Sequence, residues 1–169
     1  MIYDVIDNVL SKELSEEIYN VMLGDSFAWH YSSAIAYEEN NVDNLFYMTH
    51  NFYSGNRPNS HLFDRWYSEF ENVLSISALL RMKGNLYPSQ KQLNIHPSHI
   101  DLPDIPNIGA IYYVNDNDGY TIIGDKKIAS IKNRLLVFDA HVPHSSTDCT
   151  NTKCRVNINF NFLGYNKWK

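Results

Sequence analysis

Cysteine, basic clusters and long apolar runs are all scarce in this 169-residue chain. The two cysteines, Cys149 and Cys154, form no Cys-x-x-Cys pair, which excludes a metal motif built on paired thiolates. We expect them to be free thiols in a reducing compartment. No apolar run approaches the roughly 18 residues that cross a bilayer. The first residues lack the basic start and apolar core of a signal peptide, so a cytoplasmic location is expected.

The chain also has fewer basic than acidic residues. The chain has 14 lysines and arginines against 19 aspartates and glutamates, a net charge of −5, and its longest basic cluster is Lys126-Lys127. Because non-specific nucleic-acid binding depends on neutralising phosphates, no nucleic-acid partner is expected. There is also no Gly-x-Ser-x-Gly motif, no glycine-rich phosphate loop and no cysteine with an obvious histidine partner.

The remaining composition fits one folded domain over residues 1–169. Hydrophobic residues make up 44% of the chain and aromatic residues 14%, enough for a proper core at this length. Asparagine is common alongside isoleucine, tyrosine and lysine, which is typical of an AT-rich coding genome such as that of a phage or a marine bacterium.

Residues 1–77 are predicted to form a helical and aromatic cover. Ile2 to Ile6 has the pattern of a short strand, and Ser11 can cap a helix whose apolar stripe ends before Gly24. A second helix is expected to start near Asn59 or Ser60. The many aromatic residues of this part either pack in the core or line a substrate groove.

Residues 78–164 change to short strands separated by turns, which predicts a jelly-roll core. Roughly seven or eight strands after two helices favour a mainly β, α+β fold: a double-stranded β-helix braced by the N-terminal helices. Loops at residues 32–60 and 102–107 are expected to set substrate choice. The predicted strands include Leu79 to Tyr87, Ile108 to Asn115, Thr121 to Ile123, Lys127 to Ile131, Leu135 to Phe138 and Cys154 to Phe162.

The last of these strands has one apolar face and one polar face. Val156, Ile158 and alternate residues beyond them are apolar, whereas Arg155 and three asparagines occupy the other face. The polar face is either solvated or lines a polar cavity inside the roll. Because Arg155 follows His144 by eleven positions, we favour the cavity.

Two histidines and one aspartate form a candidate metal-binding set. His99 and Asp101 are two apart, so both side chains point to one side of an extended segment, and His144 follows 43 positions after Asp101. Two imidazoles and one carboxylate are the ligand set of non-haem Fe(II) oxygenases. His96 and His141 are competing candidates. We prefer His99 because it alone has a carboxylate two positions on, and His144 because it follows the end of a strand.

Seven short motifs in order resemble the prolyl-hydroxylase-like Fe(II)/2-oxoglutarate-dependent dioxygenases, over about residues 80 to 163. They are Tyr87-Pro88, His99-Ile100-Asp101, Gly109 to Asn115, Asp118 to Thr121, Arg134 to Phe138, Pro143-His144 and Arg155. The resemblance implies that His99, Asp101 and His144 hold Fe(II). It also implies that Arg155 pairs with the 5-carboxylate of the co-substrate 2-oxoglutarate, since a guanidinium fork matches a carboxylate.

Further pocket residues are also implied by the resemblance. The Tyr113 hydroxyl would assist Arg155 in holding the 5-carboxylate, and Ile111, on the same strand face, would pack on the co-substrate chain. Tyr87 matches a tyrosine that lines the pocket, in contact with either the co-substrate or the prime substrate.

The implied reaction is hydroxylation of an unactivated C–H bond with O2, releasing succinate and CO2, with ascorbate as a possible stimulant. The expected substrate is a peptidyl proline or an amino-acid-like molecule, so the partner is a peptide, a protein or a small molecule. Asn161 stands where nucleic-acid demethylases carry a second arginine, and the retained Asp101 disfavours halogenation. The alternatives are a non-catalytic jelly-roll binding module and an oxygenase acting on another small molecule.

Overall fold

The computed structural model describes residues 3–35 and 45–164, and within these ranges the chain forms two helices and eleven strands. The helices are α1 (Lys12–Met22) and α2 (Phe63–Leu74). The strands are β1 (Tyr3–Asp7), β2 (His30–Ser32), β3 (Tyr47–Ser54), β4 (Arg57–Pro58), β5 (Ala78–Pro88), β6 (Ile108–Tyr113), β7 (Tyr120–Ile123), β8 (Lys126–Ala129), β9 (Arg134–Asp139), β10 (His144–Ser146) and β11 (Cys154–Leu163). Neither helix in the described ranges is long and apolar enough to cross a membrane.

A large antiparallel sheet forms the centre of the molecule. Its strand order is β1-β9-β6-β11-β5-β3-β2, with β4 paired to β3. The long strand β11 lies between β5 and β6, and the register places Arg155 opposite Tyr87 and Asn159 opposite Lys83. The centre of the sheet therefore carries the strand with the polar face.

The two helices cover one face of this sheet. Their apolar stripes include Ile18 and Trp66, both fully buried, which pack with alternate residues of the central strands such as Tyr112 and Val156. Trp66 also donates from its Nε1 to Glu17 over 3.0 Å, so this buried indole N–H has a partner. This main core fixes which face of each central strand points away from the helices.

A second, three-stranded sheet with the order β10-β7-β8 lies on the other side. A smaller apolar cluster packs between the sheets and contains Ile111, Tyr113, Ile123 and Phe138. Because side chains alternate along a strand, Tyr112 belongs to the helix side while Ile111 and Tyr113 belong to the inter-sheet side. This two-sheet, helix-braced and mainly β architecture confirms the predicted fold class.

The polar face of β11 lies inside the molecule. Arg155 and Asn161 are fully buried, and Asn157 and Asn159 are nearly so. Arg155 bonds to Thr121 of β7, which places this face towards the small sheet. The cavity alternative is therefore correct, and the solvated alternative is wrong.

The N-terminal elements differ in part from the prediction. Ser11 caps α1 as predicted, since its Oγ accepts from the backbone N–H of Leu14. Helix α2 begins later than predicted, because the backbone N–H of Phe63 bonds to Ser60 in a turn before the helix. The segment 32–60, predicted as loop, contains β3 and β4, and β3 pairs with β5 in the main sheet. The remainder of that prediction, 36–44, lies outside the described residues.

Candidate metal centre and adjoining pocket

His99, Asp101 and His144 form one cluster. Their ligand atoms all lie within 4.8 Å of one another, and it is the one such group of histidine, cysteine and carboxylate side chains found in the described ranges. Oδ1 of Asp101 is 3.8 Å from Nε2 of His99, and Oδ2 is 3.9 Å from Nε2 of His144. A single ion between these three atoms would bind two imidazoles and one carboxylate, the donor set that suits Fe(II).

The backbone brings the two histidines together. The N–H of His99 donates to the carbonyl of His144 over 2.9 Å, and the N–H of His144 donates back over 3.0 Å. This isolated bridge joins the segment after β5 to the start of β10. It places the imidazole ring centroids 4.4 Å apart.

Backbone carbonyls select the ring nitrogen that is free to bind metal. Nδ1 of His144 lies 3.1 Å from the carbonyl oxygen of Val142, and Nδ1 of His99 lies 3.4 Å from that of Pro97. A carbonyl only accepts, so Nδ1 carries the proton and the lone pair remains on Nε2, which faces Asp101. Burial holds the pKa of both histidines below its usual value, which favours the neutral, metal-binding form.

Three side chains that sequence analysis did not assign hold the Asp101 carboxylate. Arg81 donates to Oδ1 over 2.9 Å, while Asn159 and Asn161 donate to Oδ2 over 3.1 and 3.3 Å. Burial alone would raise the pKa of Asp101, but the charge of Arg81 and the hydrogen bond from Asn159 lower it below its usual value. The carboxylate is therefore ionised and oriented.

Arg155 is a buried cation without a carboxylate partner among residues 3–35 and 45–164. It is 0% exposed, and its guanidinium donates to Ser130 Oγ over 2.7 Å, to the Thr147 carbonyl over 3.1 Å and to Thr121 Oγ1 over 3.1 Å. These three acceptors are all neutral. Since a buried charge is costly unless it is paired, this site suits an anionic ligand.

The predicted tyrosines lie beside Arg155. Its Cζ is 5.4 Å from the ring centroid of Tyr87 and 5.7 Å from that of Tyr113. Burial raises the pKa of Tyr113 and raises that of Tyr87 to about 12, so both are neutral hydroxyls able to donate. The Tyr113 hydroxyl donates to Thr121 Oγ1 over 2.8 Å. Ile111 is buried in the same inter-sheet cluster as Tyr113.

The competing histidines lie outside the metal cluster. His96 is 2% exposed, its Nδ1 is 2.8 Å from Ser146 Oγ, and its Nε2 is buried without a partner in the part of the chain that the structure describes. Burial, the Arg155 charge and His99 lower the pKa of His96 to about 3, so its ring is neutral. His141 faces elsewhere, with its Nε2 3.1 Å from the carbonyl oxygen of Pro103.

A cavity of about 300 Å³ adjoins the metal cluster, and two of the three cluster residues, His99 and Asp101, line it. Polar side chains of β5 and β11 also line this cavity. Its described lining is Ile35, Tyr47, Arg81, Lys83, Asn85, Tyr87, His99, Ile100, Asp101, Leu102, Pro103 and Asn159. The predicted substrate segments contribute Ile35, Tyr47, Leu102 and Pro103.

Solved structures show which proteins share this architecture, although no family model matches the chain and no curated protein sequence matches it. A prolyl hydroxylase from Trichoplax adhaerens, solved with a peptide of the hypoxia-inducible factor oxygen degradation domain, is 19% identical with a TM-score of 0.66, over 95% of this chain and 83% of that chain. A prolyl-4-hydroxylase from Pseudomonas putida is 14% identical with a TM-score of 0.66, over 95% and 91%.

A third similar structure contains small molecules. HygX from Streptomyces hygroscopicus, solved with nickel, 2-oxoglutarate and hygromycin B, is 12% identical with a TM-score of 0.61, over 95% of this chain and 82% of that chain. The chain has the 2-oxoglutarate–Fe(II) oxygenase fold. At these identities the similarity is one of fold, which confirms the predicted jelly roll and leaves activity to be argued from the site.

The residues present fit a metal ion and a dicarboxylate. The free Nε2 atoms of His99 and His144 and the ionised Asp101 are suited to Fe(II), and the unpaired Arg155 is suited to a carboxylate. Both groups lie on the inter-sheet side of the main sheet, since Asn159, which bonds to Asp101, shares the polar face of β11 with Arg155. A ligand between the sheets would therefore lie between the cation and the metal cluster.

Proposed function

We propose that this chain is an Fe(II)- and 2-oxoglutarate-dependent dioxygenase that hydroxylates an unactivated C–H bond. The observation that carries the proposal is the buried guanidinium of Arg155, unpaired in the described part of the chain, on the same polar inner face as the residues that hold Asp101. A metal-binding jelly roll without a dicarboxylate ligand would leave this cation unexplained.

The chain's own residues would bind and orient the reactants. His99, Asp101 and His144 would hold Fe(II) on one face, leaving the opposite positions open. The Arg155 fork would bind the 5-carboxylate of 2-oxoglutarate, and the neutral hydroxyl of Tyr113 would turn from Thr121 Oγ1 to donate to the same carboxylate. Ile111 would line the co-substrate site and exclude water from it, and Tyr87, which lies beside Arg155 and also lines the cavity with His99 and Asp101, would separate the co-substrate from the prime substrate.

The bound iron and 2-oxoglutarate supply the oxidising chemistry. The reaction consumes the substrate C–H bond, O2 and 2-oxoglutarate and yields the alcohol, succinate and CO2. One oxygen atom of O2 enters the substrate and the other enters succinate, so atoms and electrons balance. Ascorbate would stimulate turnover by keeping the iron reduced.

For the prime substrate we propose a peptidyl proline or an amino-acid-like molecule. The similarity to two prolyl hydroxylase structures, one of them with a bound peptide, supports the first, and the similarity to HygX with hygromycin B supports a small molecule. Nucleic acid is disfavoured because Asn161 bonds to Asp101 and Asn107 and offers no second cation. The two free, buried cysteines agree with a cytoplasmic, reducing location.

The test is succinate release from 2-oxoglutarate by the purified chain with Fe(II), O2 and ascorbate. We expect release that depends on both metal and co-substrate and that increases with a true substrate. That substrate gains the mass of one oxygen atom. A chain that binds Fe(II) but neither binds nor consumes 2-oxoglutarate would show the proposal to be wrong.

A further inference from the structure

The cavity beside the metal cluster contains a second cation without a carboxylate partner among the described residues. Lys83 projects from β5 and is half-buried. Its Nζ lies 3.4 Å from the Tyr47 hydroxyl and 5.4 Å from the centroid of the Tyr47 ring, and it forms no ion pair within the described ranges. An ammonium has three donors, and one hydroxyl uses a single donor. Lys83 therefore retains binding capacity for an acceptor inside the cavity.

The position of Lys83 is unusual, because the other described lysines and arginines without an ion pair are all exposed, except Arg155. The net charge is −5, and five other cations pair with acids in the described ranges: Arg65 with Glu17, Arg81 with Asp101, Lys126 with Asp125, Lys132 with Glu16 and Arg134 with Asp7. Two cations and one carboxylate line the described cavity. Because that carboxylate, Asp101, already bonds to Arg81, the charge of Lys83 is not balanced by an acid of the described lining. A bound anion would balance this charge.

Two residues that line the same cavity have a buried acceptor without a partner. Oδ1 of Asn159 and Oδ1 of Asn85 are buried and have no hydrogen-bond partner among residues 3–35 and 45–164. The amide orientation of Asn159 is determined, because its Nδ2 donates to a carboxylate that only accepts. A carboxylate cannot satisfy these oxygens, but an N–H donor can, and leaving them unpaired is costly.

The remaining walls are apolar and the space is small. Tyr47 stacks on Tyr87 with ring centroids 5.5 Å apart and an interplanar angle of 11°, and Ile35 and Ile100 also line the cavity. A volume of about 300 Å³ is at the small end of ligand pockets. A compact molecule with a short apolar body and two polar groups matches these walls.

We propose that the prime substrate is a free amino acid, an inference that rests on the proposed function above. Its carboxylate binds the Lys83 ammonium, and its amine donates to Oδ1 of Asn159 and Asn85. Its side chain then lies along the apolar wall beside the metal cluster, where a C–H bond is oxidised. An internal peptide residue has neither a free carboxylate nor a free amine, so the same contacts discriminate against peptides.

The first experiment compares matched substrates. The purified chain is incubated with Fe(II), 2-oxoglutarate, O2 and ascorbate and with one candidate substrate at a time. The candidates are the twenty L-amino acids, their C-terminal amides and their N-acetyl derivatives, and mass spectrometry gives the masses of the products. We expect one or a few free acids to gain an oxygen atom. The matching amide and N-acetyl forms should fall about tenfold or more in kcat/KM. The amide does not balance the charge of the half-buried Lys83, and the N-acetyl form has only one N–H for two buried asparagine oxygens.

The second experiment assigns the carboxylate contact to Lys83. Lys83→Met keeps the length of the side chain without its charge, and we expect it to raise KM for the free acid about tenfold or more and to abolish the preference for acid over amide. Lys83→Arg should restore most of that preference. Lys127→Met, a change on the exposed strand β8, is the matched control and should leave the preference intact.

Two outcomes separate this inference from the proposed function. If 2-oxoglutarate is consumed but proline-containing peptides or blocked amino acids are oxidised as well as free ones, the dioxygenase assignment stands and the amino-acid inference is wrong. The inference also fails if Lys83→Met leaves the acid-to-amide ratio unchanged. If 2-oxoglutarate is neither bound nor consumed, both proposals are wrong.

Discussion

Arg81 donates a hydrogen bond over 2.9 Å to Oδ1 of Asp101, the carboxylate of the candidate metal cluster. The second oxygen of the same carboxylate accepts from Asn159 and Asn161. Asp101 is thus held from both sides by side chains of β5 and β11, the two strands at the centre of the main sheet. Contacts of this kind orient a metal ligand before the ion binds, and they tune its affinity.

Removing a side chain of the cluster should remove the metal. We expect His99→Ala, Asp101→Ala and His144→Ala each to abolish succinate release and to lower the iron content of the purified chain well below that of the unmodified protein. Each loses one of the three donors to the ion. Iron stoichiometry by plasma emission spectroscopy and succinate release are the measurements.

His96 and His141 supply the matched controls for this experiment. Neither ring belongs to the cluster, so His96→Ala and His141→Ala should keep the iron stoichiometry of the unmodified protein. If His141→Ala lost the metal while His144→Ala kept it, the assignment of the second histidine would be wrong.

Weakening the support of Asp101 should lower iron affinity without abolishing it. We expect Arg81→Met to weaken Fe(II) binding by about 10- to 100-fold, the usual cost of losing an outer contact to a metal ligand. Titration with Fe(II) under anaerobic conditions measures the change. Arg57→Met, on the exposed strand β4, should have no effect. Equal affinity in Arg81→Met and the unmodified protein would contradict this role.

Arg155 should determine co-substrate affinity rather than iron binding. Each charge-assisted hydrogen bond contributes about 1.5–3 kcal/mol, so we expect Arg155→Ala to raise the apparent 2-oxoglutarate constant at least about tenfold. Arg155→Lys retains the charge without the fork and should give an intermediate value. Iron stoichiometry, measured on the same samples, should change little. Unchanged 2-oxoglutarate affinity in Arg155→Ala would refute the assignment.

His96 should make the fold sensitive to acid. Its pKa is lowered to about 3 in the folded chain, mainly by burial, against about 6.5 when unfolded. The unfolded chain therefore binds more protons between these values. The contribution of His96 to stability is complete above pH 6.5 and falls as the pH drops towards 3.

Urea unfolding of the metal-free chain at pH 7 and pH 5 measures this effect. We expect the free energy of unfolding to fall less between these two conditions in His96→Asn than in the unmodified protein, because asparagine does not titrate. If the free energy of unfolding fell equally in the two proteins between pH 7 and pH 5, His96 would not be buried in its neutral form.

Local sequence patterns predicted much of the site because its residues are set by short spacings. His99 and Asp101 are two positions apart, and the alternation along β11 placed Arg155 with its asparagines on one face. Such relations depend only on the period of an extended strand. The helix cap at Ser11 is similarly local.

Features that depend on strand order could not be predicted in this way. β3 (Tyr47–Ser54) lacks a clean apolar alternation and is a strand because it pairs with β5. The sequence predicted Arg81 and Lys83 as polar residues of β5. Their positions beside Asp101 and at the cavity depend on the pairing of β5 with β11, which sets Arg81 opposite Asn161 and Lys83 opposite Asn159. No local pattern specifies that register.

The bridge between His99 and His144 also has a consequence for the lifetime of the protein. The two residues are 45 positions apart, so an ion held by both is a reversible crosslink that closes a long loop between the two sheets. A ligand that binds only the folded chain adds about 4.1 kcal/mol of stability at a concentration a thousandfold above its dissociation constant. Iron starvation would open this crosslink, so the metal-free chain would be the form that proteases remove first.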